Sequence, residues 1–174
     1  MSADTLTMKY ENELSATSSW DIIVADSKVY LQGLELACFD ANTCKKLWAR
    51  SNEDGSNGVR MLLVDGKLYY GTGGLGAKVF AVDASTGSEF WRTSSISNCG
   101  MMSLYNDVIY YNSGGDGKMH CVEASTGRVL GEFDAPGFKK DSGDFFTQGL
   151  SIDPATGRIY TASYLSALCF EPLQ

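Results

Sequence analysis

Short apolar runs recur along the whole chain, each bounded by Gly, Asn, Asp or Ser. Ile22-Ile23-Val24 leads through Ala25-Asp26-Ser27 into Lys28-Val29-Tyr30, and Met61-Leu62-Leu63-Val64 leads through Asp65-Gly66 into Lys67-Leu68-Tyr69. Val108-Ile109-Tyr110 follows the turn Asn106-Asp107, and Arg158-Ile159-Tyr160 follows Asp153-Pro154-Ala155-Thr156-Gly157. Runs of this length with tight-turn residues between them predict antiparallel hairpins. The 3.6-residue spacing that would mark an amphipathic helix is absent.

A second feature follows each hairpin. Ala37-Cys38-Phe39-Asp40-Ala41-Asn42-Thr43-Cys44, Phe80-Ala81-Val82-Asp83-Ala84-Ser85-Thr86-Gly87 and His120-Cys121-Val122-Glu123-Ala124-Ser125-Thr126-Gly127 are copies of one segment, and Leu168-Cys169-Phe170-Glu171 is a shortened fourth. Each unit therefore reads as strand A, turn, strand B, loop, strand C, turn, strand D. Four-stranded units repeating every ~40 residues predict the blades of a β-propeller, since one blade cannot bury both its faces alone. The expected fold is all-β, with four four-stranded blades over residues 20–52, 59–94, 100–135 and 147–174, and an added strand at 5–14.

The motif residues have structural uses. Asp40, Asp83, Glu123 and Glu171 precede or open tight turns, where a carboxylate accepts backbone N–H bonds. Gly87 and Gly127 suit a left-handed backbone. Trp48 and Trp91 are large enough to wedge between blades. Cys38, Cys121 and Cys169 share one slot, held by Ala81 in the second unit, which predicts a small buried side chain and free thiols. Cys44 and Cys99 are the two expected to be exposed. His120, the single histidine, stands where Phe80 and Leu168 stand and is expected to pack.

Composition narrows the function classes. Hydrophobic residues make up 44% of the 174 and charged residues 20%, a globular balance. The net charge of -7 disfavours nucleic acid. No apolar run approaches the ~18 residues of a membrane-spanning helix, and residues 1–5 carry no basic region leading into an apolar one, so no signal peptide is expected. With no Cys-x-x-Cys, one His and no Gly-x-Ser-x-Gly, neither a zinc site nor a nucleophile triad is supported. Gly71-Thr72-Gly73-Gly74-Leu75-Gly76 lies between strands with no helix after it, so it is not a phosphate loop.

The segment Val79 to Trp91 resembles the repeat of PQQ-like (quinoprotein-type) β-propellers, roughly Tyr-Ala-Leu-Asp-Ala-x-Thr-Gly-Lys-x-Leu-Trp. The first unit matches through Phe39, Asp40, Ala41, Thr43, Leu47 and Trp48, while the third keeps Glu123, Ala124, Thr126 and Gly127 but has Gly131 in place of Trp. The resemblance implies a propeller fold and a periplasmic or extracellular setting. The catalytic relatives are PQQ-dependent dehydrogenases. Their adjacent Cys-Cys pair is missing here, and neither their calcium ligands nor their catalytic Asp can be placed, so PQQ with calcium belongs to an alternative reading and no cofactor is expected. Non-catalytic relatives include the propeller lipoprotein of outer-membrane assembly and receptor sensor domains.

The expected function is thus a non-catalytic binding or scaffold module for a protein or small ligand. A dehydrogenase fragment and a carbohydrate-active propeller are the alternatives. Ligands are expected on the face carrying the D–A and B–C loops. There Asp21, Arg60, Met101 and Gln148 share one position at the start of strand A, and the connection Glu132 to Gln148 carries Phe138 and Phe146. The fourth unit stops at Gln174, without a strand D. The segment 5–14, with Tyr10 in the Trp position, is expected to supply it. It would do so within a four-bladed monomer or, as preferred, between two chains of an eight-bladed ring; a longer parent chain is the third reading.

Overall fold

The computed structural model of the protein describes residues 8, 9, 11, 21–52, 58–74, 76–138 and 143–174. Among them there is no helix, and every regular element is an antiparallel strand. The first blade comprises β1 (Asp21–Ala25), β2 (Lys28–Gln32), β3 (Glu35–Asp40) and β4 (Lys46–Ser51). The second comprises β5 (Gly58–Val64), β6 (Lys67–Thr72), β7 (Val79–Asp83) and β8 (Glu89–Arg92), and the third β9 (Cys99–Tyr105), β10 (Val108–Ser113), β11 (Met119–Glu123) and β12 (Val129–Phe133). The fourth has β13 (Phe146–Ile152), β14 (Ile159–Ser163) and β15 (Ala167–Phe170). Strands pair in chain order within each sheet, so each blade is a meander of hairpins. The segment 5–14, Tyr10 included, lies almost wholly outside the described residues.

The hairpin turns explain themselves locally. Asp26, Ser27, Asn106 and Asp107 take the left-handed conformation that a two-residue turn between twisted strands requires, and Asp65 with Gly66 does the same in the second blade. Strands C and D share a one-residue bulge in three blades. Cys38, Ala81 and Cys121 pair with Trp48, Trp91 and Gly131, whereas Phe39, Val82 and Val122 pair with Lys46, Glu89 and Val129. The extra residue re-aims the chain, so in the first two blades a Trp lies directly across from a small Cys or Ala.

Packing is between blades. Tyr30, Leu36 and Cys38 of the first blade meet Met61, Leu68, Tyr70 and Phe80 of the second. Tyr69, Val79 and Ala81 meet Met102, Ile109, Tyr111 and Val122 of the third, and Tyr110, Met119 and Cys121 meet Phe146, Leu150 and Ile159 of the fourth. The innermost strands follow suit, β1 against β5, β5 against β9 and β9 against β13. The second and third blades thus each bury one face against a predecessor and one against a successor.

The two end blades differ in a way that the repeat makes readable. Met61, Met102 and Leu150 share one position facing the preceding blade and are at most 8% exposed, yet Ile22, their counterpart in β1, is 58% exposed. Tyr30, Tyr69 and Tyr110 face the following blade and are at most 4% exposed, yet Tyr160 is 48% exposed. Val24 beside Ile22 and Cys169 beside Tyr160 are also exposed.

This corrects the expectation for the cysteines. None of the five is in a disulfide, but Cys169 is exposed because its slot faces a successor that the described residues do not contain, Cys99 is buried and Cys44 is half-buried. Cys99 sits where a side chain on Gly71 would stand, so the Gly and the thiol fill one volume.

Candidate functional site

The C–D turns are built around their carboxylates. Asp83 Oδ1 accepts from Ser85 N (2.8 Å), Ser85 Oγ (2.5 Å) and Thr86 N (2.9 Å), and Asp40 Oδ1 accepts from Asn42 N (3.0 Å) and Thr43 N (2.8 Å). Glu123 bonds Thr126 Oγ1 and pairs with Arg128 at 2.8 Å, and Glu171 pairs with Arg158 at 3.1 Å. The Ser85 hydroxyl leads the bonds that hold Asp83 below the ordinary carboxylate value, and the Thr43 hydroxyl does so for Asp40. Gly87 and Gly127 take φ of 75° and 76°. A Cβ on Gly87 would come within 2.7 Å of the Trp48 ring, and one on Gly127 within 2.5 Å of the Trp91 ring. Each Trp therefore lies flat on the turn of the next blade, and Trp91 Nε1 donates to Ala124 O there at 3.0 Å.

These turns and interleaved rings are the marks of a known repeat. The family model described as "Outer membrane protein assembly factor BamB" matches residues 2–93, 32–135 and 75–163. The chain belongs to this PQQ-like β-propeller family. No curated protein matches the sequence. Among solved structures, the computationally designed Ika4 protein is similar at a TM-score of 0.73 and 13% identity, over 94% of this chain and 99% of that one. A europium-containing methanol dehydrogenase is similar at 0.68 and 16%, over 86% of this chain and 36% of that one. BamB from Moraxella catarrhalis is similar at 0.60 and 20%, over 83% and 46%. The chain thus spans less than half the length of either natural relative, and at these identities the likeness is one of fold.

On the loop face of this PQQ-like propeller, the start-of-strand positions fall as follows. Asp21 accepts from its neighbour Ile22 N at 3.0 Å and, across the blade boundary, from Met61 N at 2.8 Å, so it ties the first blade to the second. Arg60 and Met101 are exposed. Gln148 is in β13, and its side chain is outside the described residues. Phe146 is buried edge-on to Phe170, 5.9 Å between ring centres.

Phe146 also lines a cavity of about 500 Å³ between the third and fourth blades, together with Ser113, Asp116, Phe145, Thr147 and Tyr164. Three loops build it, and backbone bonds lock them: Phe146 N donates to Gly117 O (2.9 Å) and Tyr164 N to Phe145 O (3.1 Å). Phe145 packs between Phe138 and Tyr164, with centres 5.4 and 6.4 Å away. Asp116 supplies the charge. Its burial acts to raise the carboxyl, but the Lys118 amide, His120 and the Ser113 hydroxyl outweigh it and hold it below the ordinary value. His120 is buried behind it, Nε2 3.0 Å from Asp116 Oδ2 and Nδ1 3.7 Å from Glu132 Oε1, with its ring stacked on Tyr111 at 5.1 Å. His120 thus packs, and it also braces a carboxylate that faces the cavity.

Sequence reasoning passed over Asp116 and Tyr164. A signal existed for Asp116, since the B–C loop of the third unit carries an acid that the second unit's Gly71-Thr72-Gly73-Gly74 lacks. Chemically, the cavity offers one ionised carboxylate, a hydroxyl and aromatic walls, which suits binding. Among the described residues no three His, Cys, Asp or Glu side chains come together to hold a metal ion.

Proposed function

We propose that the chain is a non-catalytic binding or scaffold module, and that it forms half of an eight-bladed ring completed by a second copy of itself. One observation carries this reading: the two end blades expose repeat positions that every internal boundary buries, Ile22 on one end, Tyr160 and Cys169 on the other, and Val24 beside Ile22 is exposed where Leu63, Leu104 and Ile152 are half-buried. A face that accepts a preceding blade and a face that accepts a following blade sit on the same chain. Two copies joined head to tail would bury both pairs at once, with a two-fold axis along the channel. Apolar end faces of this kind are costly in water and mark interaction surfaces. The loop-face cavity with Asp116 is then the ligand site of the module.

The test is the mass in solution by light scattering at micromolar concentration. The expected species has twice the chain mass of 18.8 kDa. A species at the chain mass itself would overturn the two-copy ring.

A further inference from the structure

A smaller cavity, of about 220 Å³, lies between the third and fourth blades and shares Phe146 with the loop-face one; it is lined by Tyr110, Met119, Cys121, Phe133, Ile159 and Phe170 among others. Its origin can be read from the register. Trp48 pairs with Cys38 and lies 6.2 Å from Tyr30, and Trp91 pairs with Ala81 and lies 5.9 Å from Tyr69. In the third blade the same positions are Cys121 and Tyr110, but the residue across from Cys121 is Gly131. Cys121 and Tyr110 both line the cavity. It is the indole slot of the repeat with the indole missing.

The neighbours show the same vacancy. Tyr110, without a ring beside it, receives Leu173 N on its hydroxyl at 2.9 Å. Phe133, two residues on, lines the slot with its ring edge 3.0 Å from where a Gly131 side chain would begin, and it stays 43% exposed. Tyr110, Met119, Cys121 and Ile159 are buried and give the slot a mainly apolar wall, while the two carboxylate residues of its lining, Asp134 and Glu171, are exposed. A mainly apolar cavity of ring size suits flat apolar molecules, since they restore the packing contacts that its lining lacks.

We propose that this slot is a binding site for a small planar aromatic ligand of indole size. The inference rests on the reading of the chain as a binding module, but not on ring closure. The ring is tested by mass and the slot by titration, so either can fail alone.

The experiment uses indole as the probe with the full chain, followed by calorimetry and by NMR contacts from indole protons to the Met119 and Ile159 methyl groups. Saturable binding with those contacts is expected. Gly131→Trp puts a ring back into the slot, with Phe133 turned aside, and is expected to abolish binding. Should that variant not fold, Cys121→Leu fills the same slot from the facing strand and is expected to weaken indole binding at least tenfold. Cyclohexanol, polar and not flat, is expected to bind at least tenfold more weakly than indole. The proposal is overturned if indole does not bind up to its solubility, if its contacts fall on other residues, or if a folded slot-filling variant binds it as the wild type does.

Discussion

Substituting Gly127 by Ala tests the interlock between blades most directly, because two separate costs meet at one atom. The left-handed φ of 76° costs a Cβ-bearing residue about 1 kcal/mol. The new methyl would also stand 2.5 Å from Trp91, whose ring is pinned by its bond to Ala124 O, and forcing it aside costs about 1–3 kcal/mol. The total is about 2–4 kcal/mol. Gly66→Ala is the internal control. Gly66 has a φ of 73° but nothing within 4 Å of its Cβ, so only the backbone cost of about 1 kcal/mol remains. Trp91→Ala removes a half-buried ring and its hydrogen bond, which costs about 2–4 kcal/mol. In that background Gly127→Ala should fall back to about 1 kcal/mol, leaving a coupling of about 1–3 kcal/mol in the double-mutant cycle. Urea unfolding of the four proteins measures it. If Gly127→Ala costs no more than Gly66→Ala, or the coupling is below about 0.5 kcal/mol, the ring and the turn do not hold the blades together.

Three further outcomes are expected. Asp40, Asp83, Asp153 and Glu123 all have folded-state values held below the ordinary ones. Their stabilisation is therefore complete above the unfolded values near pH ~4 and lost as pH falls through the folded ones; a urea midpoint unchanged between pH 5 and pH 3 would contradict the turn geometry. In native protein Cys169 should alkylate first, while Cys99 and Cys121 stay protected, since burial raises both thiols and pushes Cys121 up to about 12; mass-mapped labelling in which Cys99 reacts as fast as Cys169 would refute this. Ile22→Lys and Tyr160→Lys should each halve the solution mass without changing the β-sheet circular dichroism, and an unchanged mass in both would place the contact between copies elsewhere.

The blades were legible in the sequence because each signal is local. A turn such as Asn106-Asp107, or Asp83 followed by Ser85 and Thr86, specifies its hairpin within a few residues. What joins the blades was not legible to the same degree. The partner of Trp48 is Gly87, a residue of the next unit, and nothing in either segment alone names the other. Cys38 and Cys169 occupy one slot, yet one is buried and the other exposed, because burial depends on having a neighbour and not on the residue. The loop-face cavity draws on three loops between Ser113 and Tyr164, so only the packed fold assembles it. Gly131 was visible as a missing Trp, but the space it leaves could be seen only in three dimensions.

The contact between neighbours has a direction. The ring of Trp48 lies on Gly87 and that of Trp91 on Gly127, always from the earlier unit to the later. In the proposed two-copy ring, assembly would therefore be vectorial: first end can meet last end, but two first ends have nothing to exchange. A gene duplicated in tandem and read through would encode the same circle as one polypeptide, and the seam between copies would become an ordinary linker. If the ring closes as proposed, the number of chains is a matter of where the circle is cut, and a circularly permuted version opened between any two units should adopt the same set of contacts.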